Sequence, residues 1–122
     1  MNATSFVVAI VDDDAAVRDS LRFLLETAGH AVETYASAVQ YLENGIGSRA
    51  RCMVLDQHMP QLSGLELVAT LRRDGRNVPT LLITGSLTPD IAARAIELGV
   101  SRVLEKPPSE DDLLAFVTAS GA

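Results

Sequence analysis

Five times along the chain a short apolar run gives way to a segment whose apolar residues recur at helical spacing. Phe6–Val11 is wholly apolar and stops at three aspartates, Asp12, Asp13 and Asp14. Residues 15–28 then carry Val17, Leu21, Leu24, Leu25 and Ala28 on one helical face, with Gly29 as the stop signal. Ala31–Tyr35 alternates apolar with polar residues, and Ser37-Ala38-Val39-Gln40 has the form of a capping box opening a short helix that ends by Gly45. Cys52–Leu55 is the second solid apolar run and closes on Asp56. A second capping box, Ser63-Gly64-Leu65-Glu66, starts a helix that Leu65, Val68, Leu71 and Arg72 carry toward Gly75. Leu81–Ile83 is the third apolar run and ends at Thr84. Thr88 caps a helix with Pro89 at its first position, lined by Ile91, Ala95 and Leu98 up to Gly99. Arg102–Glu105 is a short alternating strand, and Ser109–Asp112 caps a last helix through Leu113, Phe116 and Val117.

Strict alternation with short connections predicts a parallel sheet covered by helices on both faces. The apolar runs rank the strands. The first, third and fourth are continuous, as central strands buried on both sides must be, whereas the second and fifth alternate with polar residues, as edge strands do. This matches a flavodoxin-like (βα)5 doubly wound parallel sheet in the order 2-1-3-4-5. A length of 122 residues suits one such domain, placed at 5–119, with no effector domain in the chain. Ser120-Gly121-Ala122 reads as a fraying end or the start of a linker.

Composition excludes several function classes. The formal net charge is −6 and the ten cations form no basic cluster, so nucleic-acid binding through this domain is not expected. No apolar run approaches the roughly 20 residues needed to cross a bilayer, and Met1–Thr4 lacks the positive start of a secretion signal. The single cysteine, Cys52, lies within an apolar run and reads as a buried core thiol, which fits a reducing cytoplasm.

In a sheet of this order, ligands bind beyond the carboxyl ends of the strands, where the strand order reverses. The polar residues there are Asp12, Asp13 and Asp14 after the first strand, Asp56 at the end of the third, Thr84 at the end of the fourth and Lys106 after the fifth. Lys106 is the only lysine. Crowded carboxylates need a cation, and an all-oxygen set without a Cys or His cluster suits Mg²⁺. A hydroxyl and an ammonium across the rim suit an anion, and metal plus anion clamp is the layout for phosphoryl transfer. Each residue also has a plainer use. Asp14 reads as the N-cap of the first helix, Asp12 and Asp13 as turn residues, Asp56 as the cap of a loop, and Thr84 as a strand end. His58 reads as a loop residue, His30 as surface at a strand start. Four fitting residue types at four strand ends favour a site.

The segments Ile10-Val11-Asp12-Asp13-Asp14, Val54-Leu55-Asp56-Gln57-His58-Met59-Pro60, Ser63-Gly64-Leu65-Glu66-Leu67, Ile83-Thr84-Gly85 and Leu104-Glu105-Lys106-Pro107 carry a specific resemblance. Across nearly its whole length the chain resembles the response-regulator receiver family of two-component signalling, with wording around Asp56 and Lys106 like that of the FixJ-like branch. The resemblance implies that Asp56 takes a phosphoryl group from a sensor histidine kinase and becomes an acyl phosphate. It implies that Asp13 binds Mg²⁺ directly and Asp12 through water, with Asp56 and the backbone carbonyl of His58 completing the ligands. Thr84 and Lys106 would each engage a phosphoryl oxygen, and the Lys106–Pro107 bond would be cis. Phosphorylation would draw Thr84 inward and repack the surface of the fourth helix, fifth strand and fifth helix, changing contacts with an effector domain, a protein partner or a second copy in a phosphorylation-dependent homodimer.

The chain departs from the family pattern in two places. Val103 stands where many members carry Tyr or Phe, so the large aromatic rotamer swing is not available. Pro108 stands where a Phe usually follows the Lys-Pro pair. His58 and Ser86 occupy positions expected to tune the lifetime of the phosphoryl group. An alternative is a pseudo-receiver, an interaction module that takes no phosphate, but the five chemical positions are intact. An aspartate-nucleophile phosphatase would want Asp-x-Asp-x-Thr after the first strand, where Asp12-Asp13-Asp14-Ala15-Ala16 stands, and a flavodoxin would want a hydroxyl- and glycine-rich loop there. The expected role is therefore signalling, catalysing only the domain's own phosphorylation and dephosphorylation.

Overall fold

A computed structural model of the chain describes residues 6–45 and 49–121; residue 5 of the expected domain and Ala122 lie outside them. The elements run β1 (Val7–Val11), α1 (Ala15–Thr27), β2 (Ala31–Tyr35), α2 (Ala38–Asn44), β3 (Cys52–Asp56), α3 (Gly64–Arg73), β4 (Thr80–Thr84), α4 (Pro89–Glu97), β5 (Arg102–Glu105) and α5 (Glu110–Ser120). The five strands pair in parallel in the order β2-β1-β3-β4-β5, as the ranking of apolar runs predicts.

Strand side chains alternate between faces, and two cores follow. Ala9, Val11, Met53, Leu55 and Leu82 face α2, α3 and α4, while Val8, Ile10, Cys52, Val54, Leu81 and Ile83 face α1 and α5. β3 and β4 are buried at every residue, whereas β2 and β5 are partly exposed edges. On β5 the alternation still operates, since Val103 packs on the α3–α4 side and Leu104 on the α1–α5 side. Cys52 is fully buried, and that burial pushes its thiol up to about 11, with a smaller opposing pull from Ser120.

The helix starts follow the caps. Asp14 accepts from the amides of Ala16 and Val17, Thr88 from Ile91 with Pro89 behind it, and Ser109 from Asp112. The Ser63–Glu66 capping box is complete in both directions. The one expected at Ser37 is not. Ser37 accepts from the Gln40 amide, but the Gln40 side chain reaches past it to the amide of Ala36. His30, read as surface, is half-buried with its ring centroid 5.0 Å from that of Phe6.

Candidate phosphoryl-acceptor site

Asp56 is the last residue of β3, paired in register with Ile83, and the Gln57 amide extends that ladder to the Ile83 carbonyl at 2.9 Å. Continuing the ladder leaves the Asp56 side chain at the carboxyl rim, 2% exposed. Its loop is held from below by α3. Gly64 donates to the Gln57 carbonyl at 3.0 Å, and the buried Gln57 side chain accepts from the Leu65 amide at 2.8 Å, serving the helix N-terminus. Only glycine fits at position 64, because a Cβ there would lie 2.6 Å from the Asp56 carbonyl oxygen and 2.8 Å from Leu82 Cδ1.

Asp12 follows β1, adjacent to β3, and is 3% exposed. Its side chain accepts from the Asp14 amide at 2.9 Å and its carbonyl from Arg18 Nη1 at 2.7 Å. Burial raises the Asp12 carboxyl above its ordinary value; the Asp14 amide and Lys106 oppose this, while the charges of Asp56 and Asp13 add to it. Asp13 is exposed. One carboxylate oxygen from each of Asp12, Asp13 and Asp56 lies within 4.8 Å of the others.

Lys106 follows β5, and its Nζ stands 2.9 Å from Asp56 Oδ1. That ammonium is the counter-charge of the buried Oδ1. Burial alone would lower the Lys106 ammonium, but Asp56, through hydrogen bonding and charge, and the charges of Asp12 and Asp13 outweigh it and raise it. The Lys106–Pro107 bond is cis. Thr84, fully buried at the end of β4, accepts at its carbonyl from the Lys106 amide at 2.9 Å. Its hydroxyl contacts the Ser86 amide (3.2 Å), the Ser86 carbonyl (3.1 Å) and His58 Nε2 (3.1 Å).

The carboxyl rim therefore brings together three carboxylates and the sole lysine, with a buried hydroxyl at the neighbouring strand end. The family model for the response regulator receiver domain matches residues 8–118. The chain belongs to the response regulator receiver family. The receiver is 40% identical over 116 residues to the transcriptional regulatory protein FixJ of Azorhizobium caulinodans, covering 95% of this chain and 55% of that protein. To the response regulator protein TodT of Pseudomonas putida it is 33% identical over 120 residues, covering 98% and 53%. It thus spans about half the length of these curated relatives. Among solved structures, the Vibrio cholerae chemotaxis protein CheY4 superposes with a TM-score of 0.86 at 26% identity, covering 95% of this receiver and 98% of that chain. Full-length FixJ from B. japonicum gives 0.84 at 37% identity, covering 93% and 56%.

Sequence reasoning missed three contributors. The side chain of Gln57 carried no signal, since a glutamine after a strand has many uses. His58 lies in a loop as read, with its carbonyl expected at the metal, but the contact of its ring with Thr84 was not foreseen. Glu105, read only as a strand residue, accepts from the Leu87 amide at 3.2 Å and ties the loop after β4 to β5. Among the described residues, no helix is long and apolar enough to cross a membrane.

Proposed function

We propose that this receiver, spanning 5–119, accepts a phosphoryl group on Asp56 from a sensor histidine kinase in a Mg²⁺-dependent reaction and thereby switches partners through the α4, β5 and α5 face. The observation that carries the reading is the buried Asp56 carboxylate, beside two further aspartates and 2.9 Å from the ammonium of the only lysine. An Asp56 oxygen attacks phosphorus, the donor's N–P bond breaks, and the departing imidazole takes up a proton. The product is an acyl phosphate. Lys106, whose ammonium pairs with Asp56, exchanges that partner for a phosphoryl oxygen, and Thr84 turns its hydroxyl to another. Asp12, Asp13, Asp56 and the backbone carbonyl of His58 would hold Mg²⁺, and three carboxylate oxygens within 4.8 Å fit that hard cation. Bound there, the ion neutralises charge on the phosphoryl oxygens.

Output passes to an effector region or a separate protein, and a homodimer is one form it could take. A net charge of −6 argues against nucleic-acid contact through the receiver itself. Signalling of this kind belongs in the cytoplasm, where histidine kinases present their phosphohistidine.

The test is intact mass after incubation with Mg²⁺ and a small phosphodonor, beside Asp56→Asn. One added phosphoryl group, lost with EDTA present and absent from the variant, is the expected result. A folded wild type that takes up none with any donor would replace this reading with the pseudo-receiver.

A further inference from the structure

A hydroxyl has one proton to give and two lone pairs to receive with, and at Thr84 all three are engaged. The Ser86 amide donates to Oγ1 at 3.2 Å, and Oγ1 lies 3.1 Å from the Ser86 carbonyl, which can only accept. Pairing the Thr84 proton with the Ser86 carbonyl satisfies both groups. It leaves His58 Nε2, 3.1 Å from the same oxygen, as the donor, a role that both the Nε2–H tautomer and the imidazolium fill. None of the three partners is Asp56. Two of them travel with Thr84, because Ser86 belongs to the same loop after β4. The third does not, because His58 sits two residues beyond Asp56 on the loop between β3 and α3.

We propose that His58 is a positioning residue that bridges the acceptor loop to the switch loop and holds the Thr84 hydroxyl in its resting rotamer. The inference rests on the receiver reading for its consequence, though not for its first test. To serve a phosphoryl group across the rim, Thr84 must withdraw its proton from the Ser86 carbonyl and swing its oxygen away from His58. His58 therefore biases the resting population against the active one and weakens the response to a given level of phosphorylation. With Val103 in place of an aromatic residue, restraint on Thr84 comes from the acceptor side of the rim instead of from β5.

Two readouts separate the claim from its setting. The first uses the metal-free protein and follows the Thr84 rotamer by NMR couplings to its methyl group. His58→Ala is expected to give averaged couplings, and His58→Gln, which keeps an amide donor, to restore a single rotamer. Unchanged couplings in His58→Ala would overturn the proposal. The second measures beryllofluoride binding with Mg²⁺ as a stand-in for the phosphoryl group. His58→Ala should bind about three- to fivefold more tightly, the equilibrium worth of one partly exposed hydrogen bond. The gain should vanish in a Thr84→Val background, where the latch has nothing to hold. A gain that persists there places the effect elsewhere and sinks the idea. If the wild type binds no beryllofluoride, the receiver reading fails instead, and the rotamer result alone decides the latch.

Discussion

The two helices on the same face of the sheet, α3 and α4, are held very differently. α3 buries five of its ten residues, Gly64, Leu65, Leu67, Val68 and Leu71, and starts from a complete capping box. α4 buries only Ala95 of its nine. The difference runs into the strands they follow and precede, since β3 is buried throughout and no residue of β5 is fully buried. Asp56 stands on the packed half. Lys106 and the α4 surface belong to the looser one, and Thr84, itself fully buried at the end of β4, stands between the two. Regions with few buried apolar contacts open at lower free energy than the core, so the Asp56 carboxylate is held more firmly than α4.

The contrast is open to breakage by substitution. Leu71→Ala removes a fully buried side chain from α3 and should cost about 4 kcal/mol in denaturant unfolding. Ile96→Ala, on an α4 residue 79% exposed, should stay within about 0.5 kcal/mol. Comparable losses in the two would mean that the halves are one equally packed unit. Gly64→Ala comes next, at about 2–3 kcal/mol, because the added methyl meets backbone at 2.6 Å and the Asp56 loop must shift to admit it. Since the intruded atom is the Asp56 carbonyl, phosphoryl uptake by the folded variant should also slow. Full-rate uptake in that variant would show that the acceptor tolerates movement of its own loop.

How much of this was legible follows the same division. Element order, strand order and the buried runs of β1, β3 and β4 could be read directly, because continuous burial on two faces demands continuous apolar sequence. The rim residues were legible for a related reason. Each stands at the last position of a strand or just past it, so topology alone brings Asp12, Asp13, Asp56, Thr84 and Lys106 to one edge. The supporting polar contacts were not legible. Gln57 to Leu65, His58 to Thr84 and Glu105 to Leu87 depend on loop conformation and rotamer, and neither leaves a periodic trace. The Ser37 box failed for a local cause. Gln40 meets the pattern, but its side chain finds the Ala36 amide one residue further back.

Arg72 is the sharpest case, because its helical spacing suggests nothing beyond the continuation of α3. Its guanidinium is half-buried and donates to four carbonyls, Leu98 at 2.8 Å, Arg76 at 2.9 Å, Val78 at 3.3 Å and Gly99 at 3.5 Å. Burial lowers the group from its ordinary value, yet it stays charged. These bonds tie the end of α4 to the end of α3, while the start of α4 rests on its Thr88 cap and the single Leu87–Glu105 bond. The loose helix is thus held more firmly at the end far from Asp56. Arg72→Met keeps the apolar stem and removes the anchor, which should cost about 1 kcal/mol overall. Amide hydrogen exchange should speed roughly tenfold at Leu98, Gly99 and Val100, a change equivalent to about 1.4 kcal/mol of local opening. The β3 amides should exchange as before. Acceleration spread evenly through α3, α4 and β3 would mean that Arg72 stabilises the whole domain, and the picture of a helix hinged at its far end would have to be abandoned.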